Sequence, residues 1–95
     1  MLTLDMIRHA VKIAAAEYPV KRVELFGSYA NGTADEDSDV DFLVEFKENP
    51  TSLVHIFGFQ ETLAELLKLD VDIVKLPLKP DAGMMIDRTV NIYGA

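Results

Sequence analysis

The apolar positions at the start of the chain recur at helical spacing. Leu4, Ile7, Val11, Ala14, Ala15 and Tyr18 form one stripe, predicting a helix that Thr3 caps and Pro19 stops. The period then shortens to two. "KRVELF" (Lys21–Phe26) reads as a strand ended by Gly27. "VDFLVEF" (Val40–Phe46) sends Val40, Phe42, Val44 and Phe46 to one face and Asp41, Leu43 and Glu45 to the other. Lys47–Pro50 reads as loop, with Pro50 suited to a helix start, and Thr51–Leu69 as a long helix with Gly58 inside it. Val71–Leu76 is a third strand, Pro77–Gly83 a turn segment, Asp81–Arg88 a short helix and Thr89–Tyr93 a last strand. The order α-β-β-α-β-α-β contains no repeat, linker or low-complexity tract. It predicts an α/β fold spanning residues 1–95: a single small domain in which a mixed β-sheet is packed with helices.

Composition narrows the functions this fold could serve. A chain of 95 residues is near the small end of what builds a core without staples, and 49% hydrophobic content suffices for one. With no cysteine, neither a disulfide framework nor a thiolate zinc site is available. Asp5, Lys12 and Glu17 interrupt any apolar leader core, and no run approaches the roughly 18 apolar residues of a membrane span. A soluble, cytoplasmic protein with no membrane association is therefore expected. The net charge of −7 argues against a standing nucleic-acid surface, which needs a basic stripe. It leaves room for a nucleotide bridged by metal ions, whose positive charge cancels the local excess.

The acidic excess is concentrated. Between Asp35 and Asp41, "DEDSDVD" sets five carboxylates in seven residues, immediately before and into the best-patterned strand. A calcium loop starting at Asp37 would place Asp39, Asp41 and Glu48 suitably, but its sixth position is Phe42 where the sharp turn demands glycine. A Walker-type phosphate loop fails as well: "GSYANGT" has Thr33 where the lysine belongs, and no apolar helix follows. In the remaining reading, Asp35, Glu36 and Asp37 are solvated loop residues. Asp39 and Asp41, two apart at a strand start, project from one face with Cα atoms about 6.5–7 Å apart. Such a pair can share magnesium ions, which want oxygen ligands at about 2.0–2.1 Å. Upstream, Gly27 permits a tight turn, and the following amides with the Ser28 hydroxyl can hold a phosphate oxygen.

Gly27-Ser28, ten residues, then Asp39-Val40-Asp41 resembles the signature of the DNA-polymerase-β-type nucleotidyltransferase superfamily. In its shortness the chain is similar to the minimal nucleotidyltransferases, which are commonly paired with a HEPN-domain toxin. The resemblance implies a nucleotidyltransferase core that binds a nucleoside triphosphate through two magnesium ions, held by Asp39, Asp41 and a third carboxylate on a neighbouring strand. "LKLDVDIVKL" offers Asp70 and Asp72 for that role; Asp72 lies within the strand and matches the family segment, whereas Asp70 falls at the turn before it. The implied reaction moves AMP from ATP to a tyrosine hydroxyl of a cognate HEPN toxin, making the protein an antitoxin and a member of a hetero-oligomer. The alternatives are an antitoxin that acts by binding alone and transfer to a small-molecule or RNA acceptor. The family often has arginine where this chain has Asn31, which leaves a positive charge unaccounted for.

Other polar residues carry weaker signals. Lys21, Arg22, Lys75 and Arg88 could reach phosphates, Tyr29 could line a nucleotide pocket, and His9 and His55 lack a second ligand at metal spacing. Met84 and Met85 read as core or interface filler. In the long helix, Leu53, Ile56, Gln60, Leu63 and Leu67 make one stripe, while Val54, Phe57 and Phe59 spread around the other side, which reads equally as a helix buried deeply under the sheet or as a partner surface.

Overall fold

The computed structural model describes residues 2–76 and 88–94. The short helix expected over Asp81–Arg88, the turn at Pro77–Gly83 and Met84 and Met85 lie almost wholly outside the described residues. Within them the order is α1 (Leu4–Ala15), β1 (Val20–Phe26), α2 (Ser28–Asn31), β2 (Val40–Phe46), α3 (Leu53–Leu67), β3 (Val71–Lys75) and β4 (Val90–Tyr93).

The four strands form one sheet in the order β3-β2-β1-β4. β1 pairs antiparallel with β2 and β4, while β3 runs parallel to β2 after the crossover through α3. α1 and α3 cover one face, where Ile7, Val11 and Ala14 meet Val23, Leu25, Phe42, Val44, Phe59 and Leu63. β2 alternates as its sequence requires, with Val40, Phe42, Val44 and Phe46 in this core. Leu43 points to the other face and is nevertheless buried.

β1 departs from simple alternation, since Val20 and Val23 are both fully buried although three residues apart. A register shift between Val20 and Arg22 explains it: Val20 pairs with Phe46 and Arg22 with Glu45, so Lys21 is an extra residue. Such a bulge reverses which residues point inward.

The Thr3 cap follows its sequence signal, whereas the long helix, expected from Thr51 to Leu69, runs from Leu53 to Leu67 under a Ser52 cap. The Thr3 Oγ1 accepts from the Met6 amide at 3.2 Å, and the Ser52 Oγ accepts from Val54 N at 3.2 Å. α3 thus starts three residues beyond Pro50. Tyr18 lies past the end of α1 and packs edge-on against Phe59, ring centroids 6.0 Å apart, with its hydroxyl 3.3 Å from Thr62 Oγ1.

The expected partition of α3 needs correction. Phe59 belongs to the core, fully buried against Tyr18 and Phe46. Leu53, assigned to the core stripe, is 65% exposed and joins Val54 and Phe57 on an open face at the start of the helix. Gly58 is there because the Tyr18 ring crosses the helix at that point; a Cβ would stand 2.6 Å from Tyr18 Cε1. Among the described residues no helix is long and apolar enough to cross a membrane.

Candidate active site

Three strands bring the predicted residues to one end of the sheet. Phe26 pairs with Asp41 across β1 and β2, and Asp41 pairs with Asp72 across β2 and β3. With strands about 4.7–4.9 Å apart, the two carboxylates project side by side from the face opposite the helices. Asp39, just before β2, adds a third charge. Asp41 is half-buried, and its carboxyl is held above the usual carboxylate range. Burial contributes most, followed by the charges of Asp72 and then Asp39, and a hydrogen bond with Asp72 adds to them. The charges acting on Asp41 are thus those of Asp72 and Asp39. Asp70 lies in the turn before β3, where its backbone oxygen accepts from Val40 N at 3.0 Å.

Gly27 closes the row on the β1 side. Its φ of +76° is one that L side chains rarely adopt, and a Cβ there would collide with the Asp41 carboxylate. The chain then makes the single helical turn α2, which its sequence, too short for any periodicity, had not revealed. Asn31 N donates to Gly27 O at 3.0 Å. The first amides of that turn have no partner within the helix, and they follow directly on the glycine that touches Asp41.

Asp35 has a structural task that spacing alone could not show. Its Oδ1 accepts from Asp37 N at 2.9 Å and from Ser38 Oγ at 3.1 Å, folding the acidic loop into a turn. Two of the basic candidates are held elsewhere. At the far end of β1, Lys21 and Arg22 pair with Glu45 at 3.8 and 3.6 Å. Lys75 closes β3 at that same far end, opposite Val44. Arg88, two residues before Val90, whose partner is Leu25, is carried by the backbone to the Gly27 end of the sheet. His55 pairs with Glu48 at 2.7 Å, and His9 is exposed. Tyr29 packs against the core.

Whether these residues suit a divalent cation can be judged from their own chemistry. Asp41 is pushed toward its neutral form first by burial and then by the charges of Asp72 and Asp39, a frustration that a hard cation relieves. Among the described residues no three carboxylate or imidazole groups close into a cage by themselves. Magnesium does not require one, since it commonly takes one or two carboxylates and completes its shell with substrate phosphates and water. The donor set fits.

A cleft of about 470 Å³ leads from Asp39 and Asp72 to α3, where Phe57, Gln60, Glu61 and Ala64 form its wall. Gln60 Nε2 donates to the Val71 oxygen at 2.6 Å, tying α3 to the residue before Asp72. Phe57, expected on a partner surface, thus shares a cleft with Asp39 and Asp72.

The family model for the nucleotidyltransferase domain matches residues 7–91. The chain belongs to the nucleotidyltransferase domain family. It is 41% identical over 95 residues to the protein adenylyltransferase MntA of Thermococcus cleftensis, covering 95% of each chain. Among solved structures it is similar in fold to a chain of a toxin–antitoxin complex with AMP-PNP, with a TM-score of 0.75 at 22% identity, covering 93% of this chain and 73% of that one. It is also similar to a chain in the complex of the tri-AMPylated Shewanella oneidensis HEPN toxin with its MNT antitoxin, with a TM-score of 0.69 at 18% identity, covering 98% and 74% respectively. As a nucleotidyltransferase, the protein has a nucleotide as substrate, and the row of Gly27, Asp41 and Asp72 is where its fold brings the signature residues together.

Proposed function

We propose that this protein is a magnesium-dependent protein adenylyltransferase that moves AMP from ATP to a tyrosine hydroxyl of a partner HEPN toxin and thereby silences it. The observation that carries the reading is the pairing of Asp41 with Asp72 beside the glycine turn at Gly27. Similarity to a protein adenylyltransferase over 95% of both chains supports the transfer chemistry. A similar fold in a complex with a tri-AMPylated HEPN toxin supports the partner.

Asp39, Asp41 and Asp72 would hold two magnesium ions. Bound there, the metal supplies charge neutralisation at the phosphates and lowers the pKa of the attacking hydroxyl. The chain's own groups do the rest. The amides after Gly27 and the Ser28 hydroxyl grip the triphosphate tail, and Arg88 adds a positive charge at that end, where Asn31 supplies none. Asp72 takes the hydroxyl proton, the acceptor oxygen bonds to the α-phosphorus, and the bond to the β-phosphate breaks as pyrophosphate leaves with its electrons. Catalysis of this kind rests on positioning and electrostatics more than on covalent participation.

The test is mass spectrometry of the cognate partner co-expressed with the wild-type protein. One or more AMP groups on a partner tyrosine is the expected result. A partner that stays unmodified with ATP and magnesium present, yet inhibited in a stable complex, would establish binding-only neutralisation instead.

A further inference from the structure

In-line displacement makes the attacking and leaving oxygens lie on opposite sides of the α-phosphorus. The sheet has a matching direction. Gly27 and Ser28 stand at the end of β1, Asp41 in the middle on β2, and Asp72 on β3 at the sheet edge. A triphosphate whose tail lies on the β1 side releases pyrophosphate toward Gly27, so the acceptor oxygen must arrive over β3. The cleft that meets Asp72 from that side has Phe57 as its aromatic wall, 56% exposed and one helical turn beyond Leu53 on the same face of α3. Gln60 holds the cleft in register by fastening α3 to Val71 at 2.6 Å.

Building on the transfer reading above, we propose that this cleft is the acceptor subsite, and that Phe57 selects an aromatic hydroxyl by stacking on its ring. A volume of about 470 Å³ admits a phenol side chain together with some of its own backbone. Ring stacking orients the phenolic oxygen toward Asp72, whereas an aliphatic hydroxyl has no ring to stack. The transfer step is unchanged: the phenol proton passes to Asp72, the O–P bond forms, and pyrophosphate departs.

The experiment measures initial rates of AMP transfer against partner concentration for the wild type, Phe57→Ala, Phe57→Tyr and Val54→Ala, with ATP binding measured separately. Each enzyme is also given a partner whose acceptor tyrosine is replaced by serine. Val54 is the control because it is 76% exposed on the same helix and does not line the cleft. Phe57→Ala is expected to raise the partner KM at least tenfold and to shrink the preference for tyrosine over serine by a similar factor. Its ATP affinity should stay within twofold of wild type. Phe57→Tyr should keep both parameters near wild type, and Val54→Ala should leave the preference untouched. Wild-type tyrosine preference in Phe57→Ala overturns the subsite while leaving the transfer reading intact; equal loss of preference in Val54→Ala overturns it too, by making the effect one of general docking. A wild-type protein that modifies no partner at all overturns the underlying transfer reading and this subsite together.

Discussion

An ionised Asp41 is under electrostatic stress in the metal-free protein. Burial, Asp72 and Asp39 together raise its pKa, so the folded state binds this proton more tightly than the unfolded chain does. Its favourable contribution to stability is therefore complete below the ordinary carboxylate value of about 3.9 and is lost as pH rises through the raised value. At neutral pH the charge opposes folding, so Asp41→Asn should raise the metal-free Tm. The gain should be about 1–4 °C, since solvent still reaches the group. Magnesium should stabilise the wild type and not the variant, and transfer should fall by about 10²-fold or more. A metal-free Tm that drops would contradict the assigned electrostatics. At the third carboxylate, Asp72→Asn should slow transfer far more than it weakens ATP binding, while Asp70→Asn should change both little; the reverse ranking in single-turnover rates would reassign the role. On the phosphate side, Ser28→Ala removes one hydrogen bond to a charged group, worth about 1.5–3 kcal/mol in magnesium–ATP affinity. Gly27→Ala should be worse, because its Cβ displaces Asp41 itself. Calorimetric titration with magnesium–ATP would show that order.

The elements whose residues repeat along the chain were legible in the sequence; those defined by contact were not. β2 could be read residue by residue because its period of two coincides with its buried and open faces. Gly27, Ser28, Asp39 and Asp41 could be picked out because a glycine turn followed by paired aspartates resembles the family signature, and that resemblance, not spacing, is what pointed to Asp72 as the third carboxylate. The turn α2 has four residues and no period to detect. The bulge at Lys21 is visible only once β2 is beside it. Phe59 and Leu53 were exchanged because a stripe on α3 does not say where Tyr18 will cross. That crossing makes a prediction for the helix. In isolation Gly58→Ala should favour α3 by about 1 kcal/mol. Here the new Cβ meets a ring fixed by Phe59 and Thr62, so overpacking should outweigh propensity and leave a net loss of about 1–3 kcal/mol. Urea unfolding of Gly58→Ala alone and combined with Tyr18→Ala separates the two contributions: the loss should vanish in the second background.

At the scale of the whole molecule, the proposed site draws on segments that are far apart in sequence and adjacent only in the finished sheet. Phe26 with Gly27, Asp41, and Asp72 come from β1, β2 and β3, and the last of these is an edge strand joined to its neighbour in parallel through α3. Non-local parallel pairing is among the slower things a chain does, and edge segments open before the interior does. On refolding, binding of a fluorescent ATP analogue with magnesium should therefore return no sooner than the slowest structural phase, with helical circular dichroism recovering ahead of it. Binding that returns with the helices would show that the site needs less of the sheet than its geometry implies. The same dependence runs in reverse. On the proposed reading, a nucleotide spanning β1 to β3 would act as a strap across the sheet, stabilising the folded state by mass action. When nucleotide is scarce, local opening of β3 would withdraw Asp72 and switch off transfer while most of the molecule remained folded.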